Sequence, residues 1–138
     1  MNVKPTVLAL IVCDEVIDDR FTNKKSLIGL FNNINAPGFP VVHPQLVVFL
    51  AMTGQGTVPI RLELVHAEDI TNEEGPILRL EQSEFQFKDP NAVVEMVFKL
   101  NGVPFPRAGL YHFRVLSGND LLNQREFRVH LVEERGNP

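Results

Sequence analysis

The sequence has no tryptophan, a single tyrosine (Tyr111) and a single cysteine (Cys13) in 138 residues. One thiol cannot close an internal bridge, so the disulfide framework of small exported domains is excluded and a cytoplasmic setting is expected. Flanked by apolar residues, Cys13 reads as a small core side chain rather than a nucleophile. Positive charge is also scarce. Thirteen basic residues against seventeen acidic ones give a formal charge of −4, with no basic stripe to neutralise phosphates or to lie on an anionic membrane. The few aromatics are not interleaved with Arg or Lys, so the stacking platform of a single-strand binder is missing and nucleic acid is not an expected partner. The longest apolar stretch near the start, Val7 to Cys13, is too short for a membrane span. No small-residue cleavage site follows it, so neither a membrane nor an export signal is expected.

The composition that remains is that of an ordinary globular protein, 44% hydrophobic and 22% charged. A chain of this length suits one domain, placed here at residues 1–138 with frayed ends at 1–5 and 133–138. Its β-branched and aromatic residues fall in about eight short runs punctuated by Gly, Pro, Asn and Asp. No segment holds a helical period. The expected fold is all-β, an antiparallel two-sheet sandwich of immunoglobulin-like or related topology.

Particular strands carry this expectation. Tyr111, Phe113 and Val115, then Phe127, Val129 and Leu131, alternate with polar residues on either side of a turn at Ser117 to Asp120. For both apolar sets to share a face, odd positions must pair with odd, which requires an odd-numbered loop or a bulge. Alternation from Val58 to Ala67 sets Ile60, Leu62 and Leu64 against Arg61 and Glu63. Between Ile77 and Phe87 the apolar phase switches from even to odd, predicting a bulge near Gln82 or Ser83. Gly102, Pro104, Pro106 and Gly109 are expected to turn the chain at a corner packed by Phe105 and Tyr111.

Two strands depart from alternation. Val7 to Val12 and Leu46 to Met52 are apolar on both faces, although one face of a sandwich sheet is normally wet. A covering loop, a partner subunit or a central parallel position would each account for this, the last weakened by the absence of crossover helices. The proline-rich segment Ala36 to Pro44 is an available cover. If a partner covers this face instead, Val47, Phe49 and Ala51 form its interface, and Asp at Val47 or Phe49 should split the assembly without unfolding the domain.

Polar candidates are fewer. Asp14, Glu15, Asp18 and Asp19 place four carboxylates within six residues, the kind of oxygen-rich stretch that can hold Ca²⁺, but the Asp-x-Asp-x-Asp-Gly spacing and distal Glu are missing. A solvated turn, compensated by Arg20, Lys24 and Lys25, is the plainer reading. The four histidines lack metal-ligand spacing; His112 and His130 fall too far apart in their hairpin, and His66 reads as a hydrogen-bonded core residue. His43, in the proline segment, is the one retained as a ligand candidate. Neither a nucleophile elbow nor a phosphate loop is present, so no catalytic residue and no cofactor is expected.

The segments Leu-Ala-Leu-Ile-Val-Cys-Asp-Glu (8–15), Lys-Ser-Leu-Ile-Gly-Leu-Phe (25–31), Phe-Pro-Val-Val-His-Pro-Gln-Leu (39–46) and Gly-Val-Pro-Phe-Pro-Arg-Ala-Gly-Leu-Tyr (102–111), with the closing Arg-Glu-Phe-Arg-Val, together resemble a bacterial family of small all-β proteins carried as a domain of unknown function. The resemblance spans nearly the whole chain. It implies a β-sandwich and a bacterial cytoplasmic setting, and supplies no catalytic residues. Three readings follow. The first is a non-enzymatic binding or assembly module working through a protein partner or self-association. The second is a small-molecule or metal-binding domain, perhaps enzymatic, using the acidic turn and His43, and the third is a capsid-type structural component.

Overall fold

The computed structural model describes residues 4–132. It contains nine strands: β1 (Thr6–Asp18), β2 (Lys25–Leu30), β3 (Asn33–Ala36), β4 (Val41–Thr53), β5 (Gly56–His66), β6 (Pro76–Phe87), β7 (Val94–Phe105), β8 (Gly109–Ser117) and β9 (Asp120–Leu131), with one 3-10 turn at Ala67–Asp69. They form a four-stranded sheet in the order β2-β1-β4-β7 and a five-stranded sheet in the order β3-β9-β8-β5-β6. The expected sandwich is therefore present with one strand more than the count of apolar runs. All pairings are antiparallel except β3 with β9. Among the described residues, no helix is long and apolar enough to cross a membrane.

The inner faces follow the period-two pattern. Leu46, Val48, Leu50 and Met52 of β4 meet Ile60, Leu62 and Leu64 of β5 and Tyr111, Phe113, Val115, Phe127 and Val129 of β8 and β9 in one core. Tyr111 pairs with Phe127, odd with odd as required, and the parity is reconciled by a bulge where Val115 pairs with Asn123 but Leu116 with Leu121. The second bulge also falls where the phase switch places it. Val58 pairs with Phe85 and Ile60 with Gln82, so β6 carries one extra residue at Ser83 and Glu84.

The corner between β7 and β8 is pinned by Tyr111. Its hydroxyl donates to the Arg107 carbonyl at 2.6 Å and accepts from the Arg107 amide at 3.3 Å, while its ring meets Phe105 edge-on at 5.2 Å. His66 closes the other side of that corner. Its Nδ1 accepts from the Glu68 amide at 3.1 Å, which leaves Nε2 to carry the proton and donate to the Ala108 carbonyl at 3.1 Å. His66 is thus the hydrogen-bonded core histidine that its position suggested.

Three expectations need correction. Gly102 and Pro104 do not turn the chain; they lie within β7, where Gly102 at φ +63° lets the core phase pass from Leu100 to Val103. The proline segment is not a cover either. Only Pro37 to Pro40 are loop, because Val41 to Pro44 open β4, where Val41, Val42 and His43 pair with Phe105, Pro104 and Val103 of β7. Finally, Pro5 is buried rather than frayed, Lys4 is exposed, and the rest of the expected frayed ends, 1–3 and 133–138, lies outside the described residues.

Candidate functional site

Val47, Phe49 and Ala51 alternate with the core residues of β4 and so point away from the opposite sheet, yet they are only 0%, 7% and 6% exposed. Their cover is identified by the registers. Ala9 pairs with Ala51, and Ala51 with Glu95, so these three lie side by side across β1, β4 and β7. A straight β1 would carry Asp18, nine residues further on, to a point on the order of 30 Å from Ala9. Lys25 pairs with Asp18, but its Nζ lies 3.6 Å from Glu95 Oε1. No side chain bridges such a gap. Beyond Cys13, therefore, β1 leaves β4, bends back and carries β2 with it as a two-stranded arm over the outer face of the sheet.

The bend has a local cause. Cys13 is the last residue of β1 to pair with β4 and the first to pair with β2. Between the pairs Cys13 with Leu30 and Glu15 with Ile28 stand Asp14 and Gly29, the latter at φ +71°. A Cβ on Gly29 would lie 2.3 Å from Asp14 Oδ2, so the turn of the ribbon requires glycine both for its backbone angle and for space. Gln45 on β4 secures the fold-back by donating through Nε2 to the Asp14 carbonyl and to Glu15 Oε2, both at 3.2 Å.

The four carboxylates are distributed along this arm. Glu15 Oε1 meets Lys99 Nζ of β7 at 3.2 Å, and because β4 lies between β1 and β7, this bridge spans β4 at the level of Val47. Lys99, the Val16 amide and Gln45 together hold the Glu15 carboxyl below the usual range. Asp18 accepts from Lys25 at 3.2 Å, which raises the lysine's affinity for its proton. Asp19 shapes the tip, where its Oδ1 accepts from the amides of Phe21 at 2.8 Å and Thr22 at 3.3 Å. Asp14 stands at the bend. Asp14, Asp18 and Asp19 are exposed, as a solvated stretch requires, but only Asp19 lies in the turn, since Asp14, Glu15 and Asp18 belong to β1. Among the described residues, no three of the His, Cys, Asp and Glu side chains are grouped as metal ligands. His43 does not join the carboxylates; it packs on Phe31 with ring centroids 5.6 Å apart.

The predicted interface residues are consequently enclosed by the chain itself, and they are not available to a partner. What the arm presents to solvent is a different apolar set. Ile17, Ile28 and Leu30 are 48%, 46% and 63% exposed, whereas the cross-strand pair Val16 and Leu27 is half-buried. Beneath the start of the arm Cys13 is fully buried, and burial pushes its thiol pKa up. Lys25 compensates Asp18 as the sequence suggested, but sequence reasoning missed Glu95 and Lys99, which with Lys25 tie the arm down. The one available signal was Gly29 inside an apolar run, which marks a bulge or a close backbone approach.

Two packed sheets with a tyrosine-pinned corner define the class as an immunoglobulin-like β-sandwich. The arrangement is similar to an immunoglobulin-like protein from Pseudomonas aeruginosa, with a TM-score of 0.50 and 14% identity over 93% of this chain and 98% of that one. Within that class, the chain belongs to the family of unknown function DUF6941, whose model matches residues 8–130. Parts of larger enzymes are also similar in outline. An alkylpurine DNA glycosylase from Pseudomonas fluorescens, bound to DNA with an abasic site analogue, matches at 11% identity and TM-score 0.48 over 91% of this chain and 30% of that one. A β-glucosidase from Kluyveromyces marxianus matches at 13% and 0.44 over 80% of this chain and 16% of that one. No curated protein matches the chain.

Proposed function

We propose that this protein is a non-enzymatic binding and assembly module that works through protein–protein contacts made by the exposed side of the arm. The observation that carries the reading is the placement of Ile17, Ile28 and Leu30 in solvent on β2 and its partner stretch, where β2 is an edge strand with one side unpaired among the described residues. An edge of this kind templates the addition of another strand. The occupant is a second copy of the chain. Antiparallel pairing of two β2 edges about a twofold axis completes both at once and sets like apolar side chains against each other. Lys25 and the charged tip beyond it limit the pairing to one end of the strand, so association closes at a dimer instead of extending.

Light scattering across micromolar concentrations tests this reading directly. The dimer is expected to grow with concentration in the native chain and to disappear in Leu30→Asp and Ile28→Asp. A native chain that stays monomeric over the whole range overturns it.

A further inference from the structure

The outer face of the five-stranded sheet carries a second, differently built feature. Glu63 of β5 pairs laterally with Arg79 of β6 and Arg114 of β8, and Arg61 lies two residues along on the same face. Its carboxylate is almost fully buried. Arg61 Nε donates to Oε2 at 3.3 Å, Arg79 Nε stands 3.6 Å from the same oxygen, and Arg114 Nη1 donates to Oε1 at 3.4 Å. The segment after the 3-10 turn folds back over these side chains. Arg79 Nη2 holds it by donating to the Glu73 carbonyl at 3.2 Å, and Arg107 holds its start through Asp69 at 3.0 Å. Between this wall and the sheet is a cavity of about 330 Å³, with Thr71 and Leu116 among its lining residues.

A single guanidinium would suffice to neutralise Glu63, and three surround it. Each guanidinium has five N–H donors, whereas one carboxylate offers about four acceptor positions. Donors are therefore in excess, and among the described residues Arg114 Nε is buried without a partner, as Arg125 Nε is outside this cluster. A buried unpaired donor on a charged group is costly unless something accepts from it. Charge points the same way. Three arginines against Glu63 and Glu73 leave one positive charge (3 − 2) lining the cavity of a chain whose formal charge is −4. Glu81, across from Arg61, lines the neighbouring cavity instead.

We infer that this cavity is a binding site for a carboxylate group, received by Arg61, Arg79 and Arg114 while Glu63 holds the three guanidiniums in place. One incoming negative charge balances the cavity, and the planar forks of the arginines match the geometry of a carboxylate. Glu63 acts as a positioning residue. The site lies on the sheet opposite the arm and is independent of the proposed dimer.

The test follows the arginine Nε–Hε resonances of the full chain by NMR while three probes are added: N-acetylglycine, a blocked peptide with one central Glu, and inorganic phosphate. Saturable shifts at Arg61, Arg79 and Arg114 with the two carboxylates are expected, weakened about tenfold by Arg114→Gln. Should that variant fail to fold, Thr71→Phe decides the matter, because it adds bulk to the cavity lining while leaving every partner of Glu63 in place, and it is expected to weaken binding by at least as much. Tighter binding of the peptide than of N-acetylglycine assigns the carboxylate to a polypeptide, and the reverse to a free acid; either supports the site. Shifts that never saturate, saturation that Thr71→Phe leaves unchanged, or tighter binding of phosphate than of both carboxylates would overturn it.

Discussion

The outer faces of the two sheets solve the same problem in opposite ways. On the four-stranded sheet, β4 offers Val47, Phe49 and Ala51 to the outside, and the chain encloses them beneath an arm made from the end of β1 and all of β2. On the five-stranded sheet, β5 offers Arg61 and Glu63, and the chain keeps that face polar, with charges of opposite sign on adjacent strands. The difference teaches that a strand apolar on both sides need not mean a partner subunit. It can mean that a neighbouring strand continues past its sheet and returns as a third layer.

Substitutions separate these two faces, and the largest effect belongs to the enclosed one. Phe49→Asp places an unpaired carboxylate beneath the arm and is expected to destabilise the fold by about 4 kcal/mol or more, against less than about 0.5 kcal/mol for Leu30→Asp on the exposed side. Urea denaturation followed by circular dichroism measures both; equal stabilities would show that the arm does not cover β4. On the polar face, Glu63→Leu leaves three guanidiniums without their shared partner. After allowance for the partial exposure of Arg61 and Arg79, a loss of about 2–3 kcal/mol is expected in the same assay, and a neutral result would remove Glu63 as the organising charge.

Gly29→Ala sharpens the comparison at the bend itself. Alanine at φ +71° is strained, and its Cβ meets the Asp14 carboxylate, so about 1–2 kcal/mol should be lost, with hydrogen exchange rising first in residues 14–30. Exchange spread evenly over the chain would argue against the arm as a separable layer. The smallest effect concerns His112 on the five-stranded sheet. Burial lowers its pKa, partly offset by Glu126 across the strand pair and reinforced by Arg114. Because the folded state binds its proton less readily than the unfolded chain, His112 contributes no penalty above the ordinary histidine range near about 6.5 and destabilises the fold as pH falls below it. His112→Gln should flatten the pH dependence of the urea midpoint in that window; an unchanged slope would assign the dependence to other groups.

What could be read without coordinates was whatever depends on local alternation. The odd-with-odd pairing of β8 and β9, the bulge at Ser83 and Glu84 and the Tyr111 corner all follow from side-chain parity along one or two adjacent segments. The arm was illegible for a physical reason. β2 shows no clean alternation, since Leu27 and Ile28 are both apolar, and the sharp reversal at Asp14 and Gly29 depends on one positive φ that composition does not reveal. β3 has four residues, and its partner β9 is nearly a hundred positions away along the chain. The Glu63 cluster draws two residues from β5 and one each from β6 and β8, so it becomes visible only when the registers of those three strands are known together.

The position of Cys13 gives this architecture a built-in reporter. The thiol is the chain's only one, lies fully buried on the residue that β1 shares between two neighbours, and sits where the ribbon begins its return. Lifting of the third layer would uncover it well before the sandwich opens, so the rate at which a thiol reagent consumes it, compared with the rate of global unfolding, becomes a clock for arm detachment.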